Sequence, residues 1–291
     1  MTVAPLTFNR WKLTAAQKKI PSRDLSGAQY DGPGSVVTSD VLVLLSTPRS
    51  GSTLLCELLR LNQGCLAHEY FQPFQYMQIL AQRWGCIRAG TLDAAAYARA
   101  LARYRTLSNG WLGINVHGTH LKYFSRVQDY FPGARFHYVR LVRRDQIAQA
   151  VSYEIAQQSR QWSSEFEARS HAQYTYSGIA RKLRAIQHQD ILLQSYLQTR
   201  GVPFRTITYE EMVADLEGTL RGFACIPDGL ELNLEPPIRC QSDDQSTRWK
   251  QRFATDLVGD PSAYGSGNAA ARLQQLINRQ RLRMSGISRL S

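Results

Sequence analysis

The sequence predicts an α/β fold in which helices flank a parallel sheet and are joined by helical insertions. Three observations predict it. Four short apolar runs recur along the chain, and three of them lead directly into a helical pattern. The first run, Asp40–Ser46 (D-V-L-V-L-L-S), is apolar almost throughout instead of alternating. A strand of that kind is buried on both faces, as happens where helices cover both sides of a parallel sheet.

The elements follow in order. Residues 1–39 read as an irregular leader that closes on a turn signal, Asp31-Gly32-Pro33-Gly34-Ser35. The strand Asp40–Ser46 feeds a short polar loop and then an apolar helical stretch, Ser52–Leu61. A helical pattern covers 92–104, and a second strand follows at Trp111–His117. The third strand, Arg135–Val142, runs into a helical pattern over 145–158. Another fills 174–199, and the fourth strand, Phe204–Thr208, opens one over 209–219. With no repeat and no long linker, 40–258 reads as one domain, followed by a basic helical tail over 259–291. Residues 261–291 hold five Arg and no acid, and Leu273, Leu276, Ile277 and Met284 recur at helical spacing. Such a stripe packs on its own domain, on a membrane surface or on a second subunit; a homodimer through the tail or 174–199 stays open.

Composition removes several classes. At 43% hydrophobic and 20% charged over 291 residues, the chain is neither disordered nor collagen-like. Its longest apolar run, 41–45, falls far short of the ~20 residues a membrane span needs. The first residues show no apolar core of signal-peptide length, and the five cysteines are odd in number with no C-x-x-C pair. Reduced thiols and a cytoplasmic location are therefore expected. His117 and His120 stand three apart, but nothing nearby in sequence completes a ligand set, so no metal is expected. The net charge is +12, carried by 29 Arg against 6 Lys. Arg is a planar fork that fits phosphate and sulfate in two-point contacts, so the surplus suits an anionic ligand. Charge alone does not separate a nucleotide, a nucleic acid and a membrane surface.

The most informative segment is Ser46-Thr47-Pro48-Arg49-Ser50-Gly51-Ser52-Thr53-Leu54-Leu55. It follows a buried strand and opens a helix, where free backbone N–H groups and the positive end of the helix dipole face an anion. Gly51 permits close approach, Ser50, Ser52 and Thr53 offer hydroxyls, and Arg49 supplies charge. The architecture is that of a P-loop-like sheet. The triphosphatase pattern G-x-x-x-x-G-K-[ST] and its lysine are nevertheless missing, so γ-phosphate transfer is poorly supported.

T-P-R-S-G-S-T-L-L resembles the 5′-phosphosulfate loop of sulfotransferases that use 3′-phosphoadenosine 5′-phosphosulfate (PAPS), closest to the bacterial branch containing trehalose sulfotransferase. Three further blocks are similar in the same order. They are His68-Glu69-Tyr70-Phe71-Gln72, then Arg143-Arg144-Asp145-Gln146-Ile147-Ala148-Gln149-Ala150-Val151-Ser152, and last Gln241-Ser242-Asp243 with Trp249. The resemblance spans about 40–255 and implies the sulfotransferase fold, PAPS as sulfonate donor and adenosine 3′,5′-bisphosphate as product. It implies that Arg49, Ser50, Gly51, Ser52 and Thr53 hold the 5′-phosphosulfate, and that Arg143 and Ser152 hold the 3′-phosphate. Gln241 and Asp243 would lie near the nucleotide, and Glu69 would be the general base for an acceptor hydroxyl of a carbohydrate or glycolipid. Of the aromatics beyond Glu69 (Tyr70, Phe71, Phe74, Tyr76, Trp84), core packing is the expected use for most.

One departure stands out. Where the family usually carries a lysine near the transferring group, this chain reads Gly113-Ile114-Asn115-Val116-His117, with Asn115 at the lysine position. Arg49 or His117 would then supply what is missing, which makes His117 a second acid/base candidate. Two readings compete: a nucleotide kinase or NTPase with a variant loop, and a non-catalytic binder of anions or nucleic acid. No nucleic-acid-binding motif supports the last.

Overall fold

In the computed structural model, the structure describes residues 6–7, 24–25, 27–32, 34–131, 133–162, 170–236 and 244–259. The tail stripe, Gln241 and Asp243 lie outside them. In chain order the strands are β1 (Leu6–Thr7), β2 (Asp40–Ser46), β3 (Ile87–Arg88), β4 (Thr91–Leu92), β5 (Trp111–His117), β6 (Arg135–Val142) and β7 (Phe204–Thr208). The α-helices are α1 (Ser52–Leu61), α2 (Tyr76–Arg83), α3 (Ala94–Arg105), α4 (Leu121–Val127), α5 (Gln146–Ser159), α6 (Tyr176–Arg200), α7 (Tyr209–Ala214), α8 (Leu216–Arg221) and α9 (Asp244–Gly259).

The main sheet has the order β5-β2-β6-β7, and every pairing in it is parallel. The largely apolar β2 lies second in that order, buried along its whole length. Its side chains alternate between faces, as a period of two requires. Val41, Val43 and Leu45 join Tyr97 and Leu101 of α3 and Phe124 of α4 in one core. Leu42 and Leu44 join Leu55, Leu58 and Leu59 of α1 in another. A third cluster binds α5, α6 and α9 through residues such as Val151, Leu183 and Phe253. The register sets Ser46 beside His117 on one side and Leu141 on the other, so the carboxyl ends of three strands open at one level.

The four expected strands occur at the expected bounds. The pattern over 209–219 is two helices rather than one. The Asp215 side chain accepts from Gly218 N at 2.8 Å and starts α8, breaking the run. The small antiparallel sheet β1-β4-β3 and helices α2, α4 and α9 add to the expected set.

Part of the leader is fixed by a buried charge. Arg105, at the end of α3, is fully buried, donates to Asp31 and to the Gly27 carbonyl at 3.1 Å, and lies over Trp84 at 5.3 Å. Among the described residues no helix is long and apolar enough to cross a membrane.

Candidate active site

The loop between β2 and α1 is held from below and from the side. Arg49 has φ 65° and Gly51 has φ 92°, so two of its residues sit in the left-handed region. At Gly51 a side chain is excluded twice. The conformation strains any Cβ, and that Cβ would stand 2.5 Å from the Tyr209 ring. The same ring carries the Arg143 guanidinium, 4.7 Å from its centroid. Gln149, buried on α5, donates to Thr47 Oγ1 at 2.8 Å and to the Pro48 carbonyl at 2.7 Å, stapling the loop to that helix. Tyr209 and Gln149 are functional supports that the sequence reading did not assign. Gln149 lies inside a quoted block, whereas Tyr209 carries no local signal.

The structure brings Arg49, Arg143 and Ser152 together. Arg49 Nε donates to Ser152 Oγ at 3.0 Å, and its NH1 donates to the Trp162 carbonyl. Arg143, just past β6, donates to the Arg49 carbonyl at 3.3 Å. Ser152 lies two turns into α5, as its spacing from Arg143 predicts.

The two helix starts differ in a telling way. At α5 the Asp145 side chain accepts from Ala148 N at 2.9 Å, and Glu210 takes the amides of Arg144 and Asp145. Those donors are spent. At α1 the cap is Gly51, which has no side chain to offer, and Ser50 Oγ is fully buried without a hydrogen-bond partner. Arg143 Nε is likewise buried and unpaired. Buried polar groups are almost always satisfied, and a helix start with unspent donors is a place that can hold an anion. Ser52 is buried at the first helical position, and Thr53 beside it is exposed.

Glu69 reaches the same level from the open side of β5. An isolated parallel bridge pairs His68 with Ile114, and Asn115 N donates to the His68 carbonyl at 2.8 Å. Gly113 makes this possible, because a Cβ there would lie 2.7 Å from the Ala67 Cα. The bridge delivers Glu69 to His117 and His120, its Oε2 standing 3.8 Å from His117 Nδ1 and 3.7 Å from His120 Nε2. The set that the sequence left incomplete is thus completed from 48 residues upstream of His117, and its three ligand-type atoms lie within 4.8 Å of one another.

Its chemistry suits hydrogen bonding better than metal ligation. The His117 amide donates to His120 Nδ1 at 3.2 Å, and the His120 amide returns a bond to the His117 carbonyl at 2.8 Å. With Nδ1 an acceptor, a neutral His120 carries its hydrogen on Nε2, the atom that faces Glu69. Metal-bound imidazoles instead donate through their second nitrogen. Burial pushes the His117 pKa down against the pull of Glu69, and pushes that of His120 well down with help from His117 and His68. Both rings, stacked at 4.9 Å, are neutral near pH 7. The distances to Glu69 are just outside direct hydrogen bonding, as is common at acid/base sites before a substrate arrives.

Asn115 is taken up locally: its Oδ1 accepts from Ser46 Oγ at 2.8 Å. Tyr70 and Phe71 are fully buried core residues, as expected, whereas Phe74 is exposed.

Residues 120–256 match the model of the Stf0 sulphotransferase family. That segment is the part of the chain similar to the family. It contains Arg143, Gln149, Ser152 and Tyr209, and the loop 46–53 precedes it. Two solved structures are similar to this chain. The sulfotransferase domain of the Synechococcus PCC 7002 olefin synthase shares 16% identity over 78% of this chain and 98% of its own, with a TM-score of 0.37. The sulfotransferase domain from the curacin biosynthetic pathway shares 13% over 76% and 98%, with a TM-score of 0.38. No protein of curated function matches the chain significantly.

Proposed function

We propose that this chain is a sulfotransferase that moves a sulfonate from PAPS to an acceptor hydroxyl, of a carbohydrate or glycolipid. The observation that carries the reading is the pair of orphaned donors, Ser50 Oγ and Arg143 Nε, beside an uncapped helix start, with Glu69 supplied from across β5. The orphaned donors fit a ligand with two anionic ends. Ser50, Ser52, Thr53, Arg49 and the amides at the start of α1 receive the 5′-phosphosulfate, and Arg143 with Ser152 receives the 3′-phosphate. Arg49 now spends its guanidinium on Ser152 and Trp162, so ligand binding exchanges those bonds for phosphate oxygens.

In the reaction the acceptor oxygen forms a bond to sulfur as the sulfur–oxygen bond to the 5′-phosphate breaks. Glu69 takes the hydroxyl proton. The leaving phosphate gains the electron pair, and the fixed donors of the loop stabilise it without reorganising. His117 and His120, neutral and buried, face Glu69 at 3.8 and 3.7 Å, ready to take up hydrogen bonds to it. The carbohydrate class is supported by the resemblance to the trehalose sulfotransferase branch. The described cysteines, Cys56, Cys65, Cys86 and Cys225, are free and buried, which suits the reducing cytoplasm.

The test is transfer of radiolabelled sulfonate from PAPS to a panel of mono- and disaccharides and glycolipids, with ATP and Mg²⁺ as a control donor. Labelled product that depends on Glu69 supports the reading. Turnover of ATP with none of PAPS overturns it.

A further inference from the structure

Tryptophan is on average a well-buried residue, yet Trp162 is 37% exposed. Its position is set by the end of α5. The helix closes at Arg160, whose φ of 62° lies in the left-handed region that a non-glycine residue seldom takes. The Gln161 amide then donates to Ser159 Oγ at 3.3 Å. This reversal turns the chain back along α5, and the Trp162 ring meets the Tyr153 ring edge-on, with centroids 5.9 Å apart and planes at 63°. Tyr153 lies in the middle of that helix, directly after Ser152. Its ring is fixed from behind, because it packs against the core formed by α5, α6 and α9 and the Lys182 ammonium stands 4.5 Å from its centroid.

The pair reaches both halves of the active site. On the anion side, Arg49 donates to Ser152 Oγ at 3.0 Å and to the Trp162 carbonyl, so one guanidinium joins the two segments that carry the rings. On the acid/base side, burial pushes the Tyr153 phenol above the ordinary tyrosine range, and the Glu69 carboxylate adds to the push. In-line transfer needs the acceptor oxygen on the side of sulfur away from the 5′-phosphate, with its proton turned to the base. The rings offer that acceptor an apolar corner. The residues before Trp162, Arg160 and Gln161, are polar and reach solvent. A pyranose matches both features, with an apolar face of C–H groups and a rim of hydroxyls. A linear polyol lacks the face, and a phenol lacks the rim.

We propose that Trp162 and Tyr153 form the acceptor platform, a corner on which a pyranose ring lies with one hydroxyl turned to Glu69. The inference rests on the sulfotransferase reading above and names the side chains that select the acceptor. A free sugar and a glycolipid headgroup present the same ring, and the choice of acceptors separates them.

The experiment measures transfer of labelled sulfonate from PAPS to glucose, a glucose disaccharide, a glycosyl diacylglycerol, sorbitol and phenol. It compares wild type with Trp162→Ala, Trp162→Phe, Tyr153→Phe and Tyr153→Leu, and adenosine 3′,5′-bisphosphate is titrated into each by calorimetry. Wild type is expected to favour a pyranose over sorbitol and phenol by about tenfold or more in kcat/KM. Trp162→Ala is expected to raise KM for that pyranose about tenfold, with Trp162→Phe recovering most of the loss. Its bisphosphate affinity should stay within about twofold of wild type, because the Trp162 carbonyl that holds Arg49 belongs to the backbone. Tyr153→Phe keeps the ring and should hold KM within about twofold, whereas Tyr153→Leu should raise it as Trp162→Ala does. Preference for the glycosyl diacylglycerol assigns the platform to a lipid headgroup, and preference for glucose or the disaccharide assigns it to a free sugar. An unchanged KM in Trp162→Ala, equal use of sorbitol and the pyranoses, or label on phenol alone overturns the proposal. So does binding of the bisphosphate with no pyranose labelled. Failure of the wild type to bind the bisphosphate at all is a different result: it defeats the donor reading itself, and this inference with it.

Discussion

The two halves of this active site are built on opposite plans. The anion half, residues 46–53 with Arg143 and Ser152, is a strand-to-helix loop whose donors are partly unspent, with orphans at Ser50 Oγ and Arg143 Nε. The acid/base half, Glu69 with His117 and His120, is closed on itself by reciprocal bonds between the two histidines and by a bridge from His68 to β5. One half keeps donors unspent, and in the other the two histidines are bonded to each other while Glu69 stands just outside hydrogen bonding to both. The difference teaches where each kind of function is encoded. Donors for a phosphate come consecutively along one turn of chain, while a positioned base needs groups that only topology brings together.

Four substitution or titration experiments press on that contrast. The largest effect is expected at Glu69. Glu69→Gln should lower the turnover of sulfonate transfer by roughly 10²–10⁴ and leave adenosine 3′,5′-bisphosphate affinity intact, measured by paired kinetics and calorimetry. Equal losses of both would mean that the halves are not separable. Next is Arg143→Met, which should weaken the bisphosphate by about 30- to 100-fold through loss of a charge-assisted fork, with little effect on 5′-AMP.

A smaller pair of effects divides the two nitrogens of His120. Asn places its carbonyl where Nδ1 accepts, so His120→Asn keeps the turn and loses the donor facing Glu69. Gln places its amide where Nε2 donates, so His120→Gln does the reverse. Turnover should fall about tenfold in the Asn variant, while the Gln variant should lose about 1 kcal/mol of stability. Denaturant melts and rate measurements on both variants decide it, and a reversed ranking would mean that the tautomer is assigned wrongly.

The smallest effect is the pH dependence of folding. His117 and His120 have folded-state pKa values below the ordinary 6.5, so the unfolded chain binds protons more readily. Their contribution is full above pH 6.5 and is lost as pH falls through the depressed folded-state values. The slope approaches about 1.4 kcal/mol per pH unit for each ring. Chemical denaturation repeated as the pH is lowered from above 6.5 should show the slope flatten in a His117→Asn, His120→Asn double variant.

Much of this was legible in the sequence, for physical reasons that also explain the gaps. The strands could be read because β2 is an almost continuous apolar run, as a covered sheet requires, and because β6 and β7 run directly into helical patterns. The anion loop could be read because its residues are consecutive. Arg143 and Ser152 were placed correctly because a strand end and a helical repeat fix their separation. The meeting of Glu69 with His120 was not legible. It depends on the 65–68 segment lying over Gly113, and no local pattern announces a contact made possible by a missing Cβ. Tyr209 was missed for the same reason, since its role under Gly51 and Arg143 exists only once β7 is placed beside β6. Helix α9 escaped notice because its apolar stripe is only Trp249, Phe253 and Leu257 within a strongly charged stretch. Asn115 reads as a lost charge in the sequence, whereas the structure gives it a definite use as the acceptor for Ser46.

The central claim is that the loop after β2, together with Arg143 and Ser152, forms one donor site that recognises both ends of an adenosine bisphosphate. The most direct test is calorimetric titration of the wild-type protein with adenosine 3′,5′-bisphosphate and, in parallel, with 5′-AMP. The account predicts micromolar binding of the bisphosphate, weakened about tenfold or more when the 3′-phosphate is missing. Equal affinity for the two nucleotides, or binding of neither, would contradict it.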